Sequence, residues 1–168
     1  VKNMSQMIEL KELYRLQGEL DARIASNHKT SYEKTTDDRL MALIVEIGEL
    51  ANETRCFKYW SNKGPSPREV LLDEYADGMH FLLSLGIPLG VRTTRYEIIE
   101  SELPLTRQFH LLYRATVELV ESYDLAHYTN AYQIFLNLIP SLGFSVEEVV
   151  CAYKAKLDIN YQRQNSNY

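Results

Sequence analysis

The sequence predicts an all-α fold, a helical bundle with two central acidic helices forming a metal site. Three observations carry this. Apolar residues recur at helical spacing along the chain, and no stretch sustains period-2 alternation with β-branched enrichment. Two acidic pairs, Glu46-x-x-Glu49 and Glu74-x-x-Asp77, stand inside apolar helical segments.

At 168 residues the chain is long enough to bury a substantial core. One domain over 1–168 is expected, with a rigid part over 5–92 and a mobile helical part over 105–168. A net charge of −5 argues against a nucleic-acid surface built on phosphate contacts. Cys56 and Cys151 are too few for a disulfide framework or a CxxC metal site, which points to a reducing, cytoplasmic setting. No apolar run approaches the length of a membrane span, and Val1 to Lys11 carries no apolar h-region, so a soluble, unexported protein is expected. Residues before Met7 read as a weakly structured leader, with Met4 or Met7 as a possible start.

Taken in order, Met7 to Ile24 carries Ile8, Leu10, Leu13, Leu16, Leu20 and Ile24 at spacings of two to four residues, an amphipathic helix with Ser5 as N-cap. Gln17 and Asp21 lie i, i+4 on it and share a face. Asn27 to Thr36 reads as a loop, and Thr36 or Asp37 caps an acidic helix over Arg39 to Phe57. Gly48, between Glu46 and Glu49, costs about 1 kcal/mol relative to Ala. Close approach by another helix would offset that. Gly64-Pro65-Ser66-Pro67 breaks the helix. The loop before it sets Trp60 between Lys58 and Lys63, an aromatic face beside cations that suits a base and a phosphate, or one that pins the turn to the core.

Ser66 is expected to cap the second acidic helix, Pro67 to Leu85, with Pro67 at N1 and Glu69 at N3. Pro88 and Gly90 end it. Arg92 to Pro104 takes no assignment. Helices follow over Leu105 to Tyr123, Ala126 to Leu138 and Val146 to Tyr161, with Pro140 and Gly143 separating the last two and Ser145 capping the last. The run from Arg163 to Tyr168 lacks core-forming residues and is expected to be mobile in the free protein, with Lys154, Lys156 and Arg163 concentrating positive charge nearby.

The chemistry rests on the two acidic pairs. In each, i, i+3 spacing projects both carboxylates from one helical face about 5–6 Å apart. An ordinary solvated face would explain one such pair. Here Leu43, Val45, Ile47 and Leu50 border the first pair, Val70, Leu71, Phe81 and Leu85 flank the second, and neither helix supplies a basic partner close by. Unpaired buried charge is expensive, so four carboxylates held together call for a counter-charge. An all-oxygen donor set favours Mg²⁺, with Mn²⁺ possible.

ExxE, 24 intervening residues and ExxD resemble the all-α nucleoside triphosphate pyrophosphatase superfamily. Within it, Leu16-Gln17-x-x-Leu20-Asp21, Glu46-x-x-Glu49-Leu50, Phe57-Lys58-x-Trp60, Glu74-x-x-Asp77-x-x-His80-Phe81 and Lys156-x-x-x-Asn160-x-x-Arg163-Gln164 follow in order the motifs of the dimeric dUTPases. The resemblance spans nearly the whole chain. It implies that Glu46, Glu49, Glu74 and Asp77 bind Mg²⁺, that Lys156, Asn160 and Arg163 hold phosphates, and that Gln17, Trp60 and His80 line a uracil pocket, with Lys58 beside Trp60 in the same motif. Phe81 would pack on the deoxyribose. Asp21 stands where many members have Asn, and a carboxylate pairs with uracil N3–H but not with its carbonyls.

The expected activity is Mg²⁺-dependent hydrolysis of dUTP, and of dUDP, to dUMP, with Glu46 preferred to Glu49 as the base. The alternatives are a pyrophosphatase for dCTP or a non-standard triphosphate, a di-iron or di-manganese carboxylate bundle using Asp77-x-x-His80 and Glu118-x-x-Glu121, and a non-catalytic interaction protein. A homodimer is implied by the resemblance. Leu111, Leu112, Leu119, Phe135, Leu136 and Leu138 add to that expectation, as more apolar surface than a small bundle easily hides.

Overall fold

The computed structural model describes residues 5–168. Its elements in order are β1 (Gln6–Glu9), α1 (Lys11–His28), α2 (Tyr32–Thr54), α3 (Arg68–Gly86), a 3₁₀ turn (Ile87–Leu89), β2 (Arg95–Ile98), α4 (Leu105–Glu121), α5 (Leu125–Ser141) and α6 (Val146–Asn165). The expected all-α bundle is present. Met4 lies outside the described residues.

The first helix starts later than its apolar stripe suggests, and Ser5 caps nothing. Gln6–Glu9 instead forms an antiparallel ribbon with Arg95–Ile98, in the register Gln6↔Ile98 to Glu9↔Arg95. This also places part of the unassigned Arg92–Pro104 stretch. Ile8, Tyr96 and Ile98 point inward and are buried, and Leu10 N–H donates to Thr94 O at 2.8 Å. The early apolar residues fit a strand as well as a helix because Ile8 and Leu10 are two apart.

The second helix starts seven residues earlier than expected. Ser31 caps it, accepting from Lys34 N–H at 3.3 Å, while the hydroxyls of Thr35 and Thr36 donate back to the carbonyls of Ser31 and Tyr32 at 2.8 Å. A polar run that reads as loop is thus the solvated first turn of a helix. Ser66 is not a cap either. Its hydroxyl donates to the Glu53 carboxylate, and Pro67 stands at the N-cap without a side-chain bond.

Pro140 does not divide the last two helices but sits in the final turn of α5. Proline keeps its carbonyl, and Gly143 N–H bonds to Pro140 O at 3.0 Å while Phe144 N–H bonds to Ile139 O at 3.0 Å, a Schellman closure with Gly143 at φ 76°. Ser145 caps α6 as expected, and Glu148 completes a full capping box with it. α6 then continues to Asn165, so the first half of the polar run from Arg163 to Tyr168 is helix. Arg23 donates to Asn165 Oδ1 at 2.8 Å and Asn27 to Gln164 Oε1 at 3.1 Å, which tie its end to α1.

α3 is the central element, buried almost throughout from Tyr75 to Gly86. Close packing explains two helical glycines. A Cβ on Gly86 would stand 2.4 Å from the Tyr128 hydroxyl, and one on Gly48 would stand 3.0 Å from that of Tyr113, reaching over from α4. Leu112, Leu119, Phe135, Leu136 and Leu138 are fully buried within the chain, which removes them as free surface; Leu111 remains exposed. Among the described residues no single helix is long and apolar enough to cross a membrane.

Candidate active site

A cleft of about 930 Å³ opens between α1, α2, α3 and α6. Gln17, Asp21, Glu46, Asp77, His80, Phe81, Lys156, Asn160 and Arg163 all line it. Helical spacing on four elements has therefore brought one set of side chains to one hollow.

One end of the cleft carries Glu46 and Asp77, whereas Glu49 and Glu74 do not line it. Glu46, Glu74 and Asp77 each offer an oxygen within 4.8 Å of the others. Burial, a contact with Glu49 and the negative charge of Asp77 push the Glu46 carboxyl up to about 8. Burial and the charges of Asp77 and Glu49 push Glu74 up to about 7. Asp77 is also raised by burial, although Lys156 opposes the shift. Glu49 contacts both Glu46 and Glu74, and with Glu74 and Glu53 it lines a second, smaller hollow.

Buried oxygens Oε2 of Glu46 and Oε2 of Glu74 have no hydrogen-bond partner. Crowded, partly dry carboxylates with orphaned lone pairs fit a hard divalent cation, for which an all-oxygen set is the natural donor chemistry. Glu46, Glu74 and Asp77 are the residues that could hold it, and Glu49, the fourth of the expected set, is not among the three whose oxygens converge.

The other end of the cleft carries a fixed hydrogen-bond chain. Gln17, only 3% exposed, donates from Nε2 to Asp21 Oδ1 at 2.9 Å and accepts from the Tyr153 hydroxyl at 3.0 Å. Tyr32 donates its hydroxyl to Asp21 Oδ2 at 2.8 Å. The reading of Gln17 and Asp21 as a shared face of one helix holds, with both turned inward. His80 is buried and stacks on Tyr153 at 4.4 Å between ring centroids, and neither of its ring nitrogens has a partner. Burial pulls its pKa down to about 4, so the ring is neutral at pH 7 and offers one donor and one acceptor. Phe81 forms part of the wall one residue on.

Lys156, Asn160 and Arg163 lie on one face of α6 at i, i+4 and i+7. Lys156 Nζ lies 2.7 Å from Asp73 Oδ1 and 3.2 Å from Asp77 Oδ1. Lys58 and Trp60 are not part of this assembly. They sit in the α2–α3 loop, where Trp60 is 64% exposed and meets Phe57 and Tyr59 edge-on, and neither lines the cleft of its own chain.

Four residues of the site escape a sequence reading. Tyr32 and Arg39 belong to the stretch where loop gives way to helix. Arg39 stacks on the Tyr32 ring at 4.8 Å and donates to Tyr32 O and Ser84 O. Tyr153 carries no local motif. Asp73 had one available signal, its i, i+4 spacing to Asp77.

An all-α bundle with a carboxylate cluster at one end of a nucleotide-sized cleft and a donor–acceptor wall at the other defines a nucleotide hydrolase of the helical type. A family model described as dUTPase matches residues 9–168, and the chain belongs to that family, the dimeric all-α dUTPases. Membership makes it, broadly, a dUTP-hydrolysing enzyme. No curated protein matches the chain.

Proposed function

We propose that the protein is a Mg²⁺-dependent dUTP diphosphatase that converts dUTP and dUDP to dUMP, acting as a cytoplasmic homodimer. The observation that carries this is that the crowded carboxylates Glu46 and Asp77 and the Gln17–Asp21–His80 wall line one hollow. Base recognition falls to Gln17, Asp21 and His80, and Phe81 packs on the deoxyribose. The α6 face of Lys156, Asn160 and Arg163 receives the phosphates, with the Arg163 guanidinium able to bind two oxygens at once.

Glu46, Glu49, Glu74 and Asp77 hold the cation, which when bound neutralises phosphate charge and makes water a better nucleophile. Glu46 takes the proton of the water that attacks phosphorus in line, the phosphoanhydride bond opposite breaks, and the departing phosphates leave along the α6 face. Lys58 and Trp60, on the exposed α2–α3 loop outside the cleft of their own chain, bind substrate through that loop. Met41 and Val45 on α2 with Leu111, Val117 and Val120 on α4 are exposed apolar residues, and they support pairing with a second copy. Free Cys56 and Cys151 support the cytoplasmic setting.

Asp21 favours a second reading, a pyrophosphatase for dCTP, because an acceptor-only carboxylate suits the amino group of cytosine. Chromatography of reaction products separates the two. dUMP with pyrophosphate from dUTP, and dUMP with phosphate from dUDP, are expected; turnover of dCTP in place of dUTP would support the second reading. Sedimentation as a monomer at micromolar concentration would refute the dimer.

A further inference from the structure

The carboxylate cluster already has a cation at its edge. Lys156 is buried, with a side chain only 7% exposed, and its ammonium is shared between Asp73 Oδ1 at 2.7 Å and Asp77 Oδ1 at 3.2 Å. Asp73 and Asp77 stand i, i+4 on α3, so Lys156 bridges two successive turns of that helix from α6. A buried ammonium needs a carboxylate, and removing its partner leaves an uncompensated charge. The two partners differ. Asp77 lies with Glu46 and Glu74 in the group that could hold a metal, whereas Asp73 is outside that group and half exposed.

We infer that Asp73 is a positioning residue for Lys156: it keeps the ammonium paired when a divalent cation takes Asp77, and so holds Lys156 at the cleft wall where the phosphates lie. The inference rests on the metal-site reading of Asp77. With Asp73 present, Lys156 passes from a shared to a single carboxylate as the cation binds. Without it, cation binding at Asp77 strands a buried positive charge next to the incoming one. Asp73 thereby raises cation affinity through Lys156, and it does so without entering the cluster.

The test is a calorimetric titration of Mg²⁺ alone into nucleotide-free protein for the wild type, Asp73→Asn, Lys156→Met and the double variant. Methionine is chosen at 156 because it keeps most of the length of the lysine stem while removing the ammonium, which leaves Asp73 and Asp77 free of it. Asp73→Asn should weaken Mg²⁺ binding about tenfold, within the range of coupling between contacting side chains. Lys156→Met should strengthen binding, and in that background Asp73→Asn should change it by about twofold or less, because an exposed carboxylate acts only through a screened field. Asp73→Glu, which restores a carboxylate, should recover most of the lost affinity. Equal loss with and without Lys156 would show that Asp73 works through its own charge and would overturn the inference, as would no loss in either background. Failure of the wild type to bind Mg²⁺ would overturn the metal-site reading together with the inference, whereas binding that ignores Asp73 would overturn the inference alone.

Discussion

Glu46 on α2 and Asp77 on α3 bring carboxylate oxygens within 4.8 Å of each other across two packed helices. With Glu74 close by, the folded metal-free protein holds protons that an unfolded chain releases. Burial and neighbouring carboxylates push the folded Glu46 carboxyl up to about 8 and that of Glu74 up to about 7, against 4.5 for an ordinary Glu. The folded state therefore binds more protons in this window, and metal-free stability falls as pH rises through it. His80 has the opposite sign, since its ordinary value of 6.5 is lowered to about 4 and stability is lost as pH falls between them. Above about pH 6.5 only the carboxylate effect remains. Scanning calorimetry in chelator should show Tm falling from about pH 6.5 to about pH 8, saturating Mg²⁺ should reverse the fall, and Glu46→Gln should flatten it. A metal-free Tm that climbs through the same range would contradict the crowded-carboxylate description.

Glu49→Gln keeps the side-chain shape and removes one negative charge from a group that contacts both Glu46 and Glu74. Metal-free Tm should stay unchanged or rise as repulsion is relieved, while Mg²⁺ affinity drops by about tenfold or more. A large loss of metal-free stability would make Glu49 a member of a structural ion pair.

The acidic pairs were legible in the sequence because their geometry is local: i, i+3 spacing on a helix fixes which carboxylates share a face. Partners distant in the chain were not. The Asp73–Lys156 pair joins α3 to α6, and the burial of Gln17 depends on the Tyr153 hydroxyl from the far end of the chain. The β1–β2 ribbon eluded the reading for the same reason, being four residues long on each side with its pairing set across some ninety residues. Boundaries failed where polar side chains serve helix ends as readily as loops, as Thr35 and Thr36 do in the first turn of α2.

Asp21 accepts from Gln17 on one oxygen and from Tyr32 on the other. Asn in its place keeps one acceptor and gains an N–H₂ that can face a uracil carbonyl. Asp21→Asn should therefore move the ratio of kcat/KM for dUTP over dCTP upward by about tenfold, the scale of one hydrogen bond to a neutral group. An unchanged ratio in a folded variant would remove Asp21 from base selection.

Arg163 lines the cleft on the last turns of α6, and its guanidinium lies 5.3 Å from the Tyr168 ring. Arg163→Ala should lower kcat/KM for dUTP by about 10²-fold, as expected for loss of a positioned charge-stabilising donor. Tm should move by only about 2 °C, because the side chain is exposed and pairs with no carboxylate among the described residues. Full activity of the variant would reassign the phosphate contacts elsewhere on α6.

Pyrophosphate release from dUTP, dCTP, dTTP and UTP, each with Mg²⁺ and with chelator, decides whether the carboxylate cluster and the base wall serve one metal-dependent reaction. Release should be fastest from dUTP, fall to background when the cation is removed, and be lost in Glu46→Gln. Undiminished release in chelator, or no turnover of dUTP with Mg²⁺ present, would contradict it.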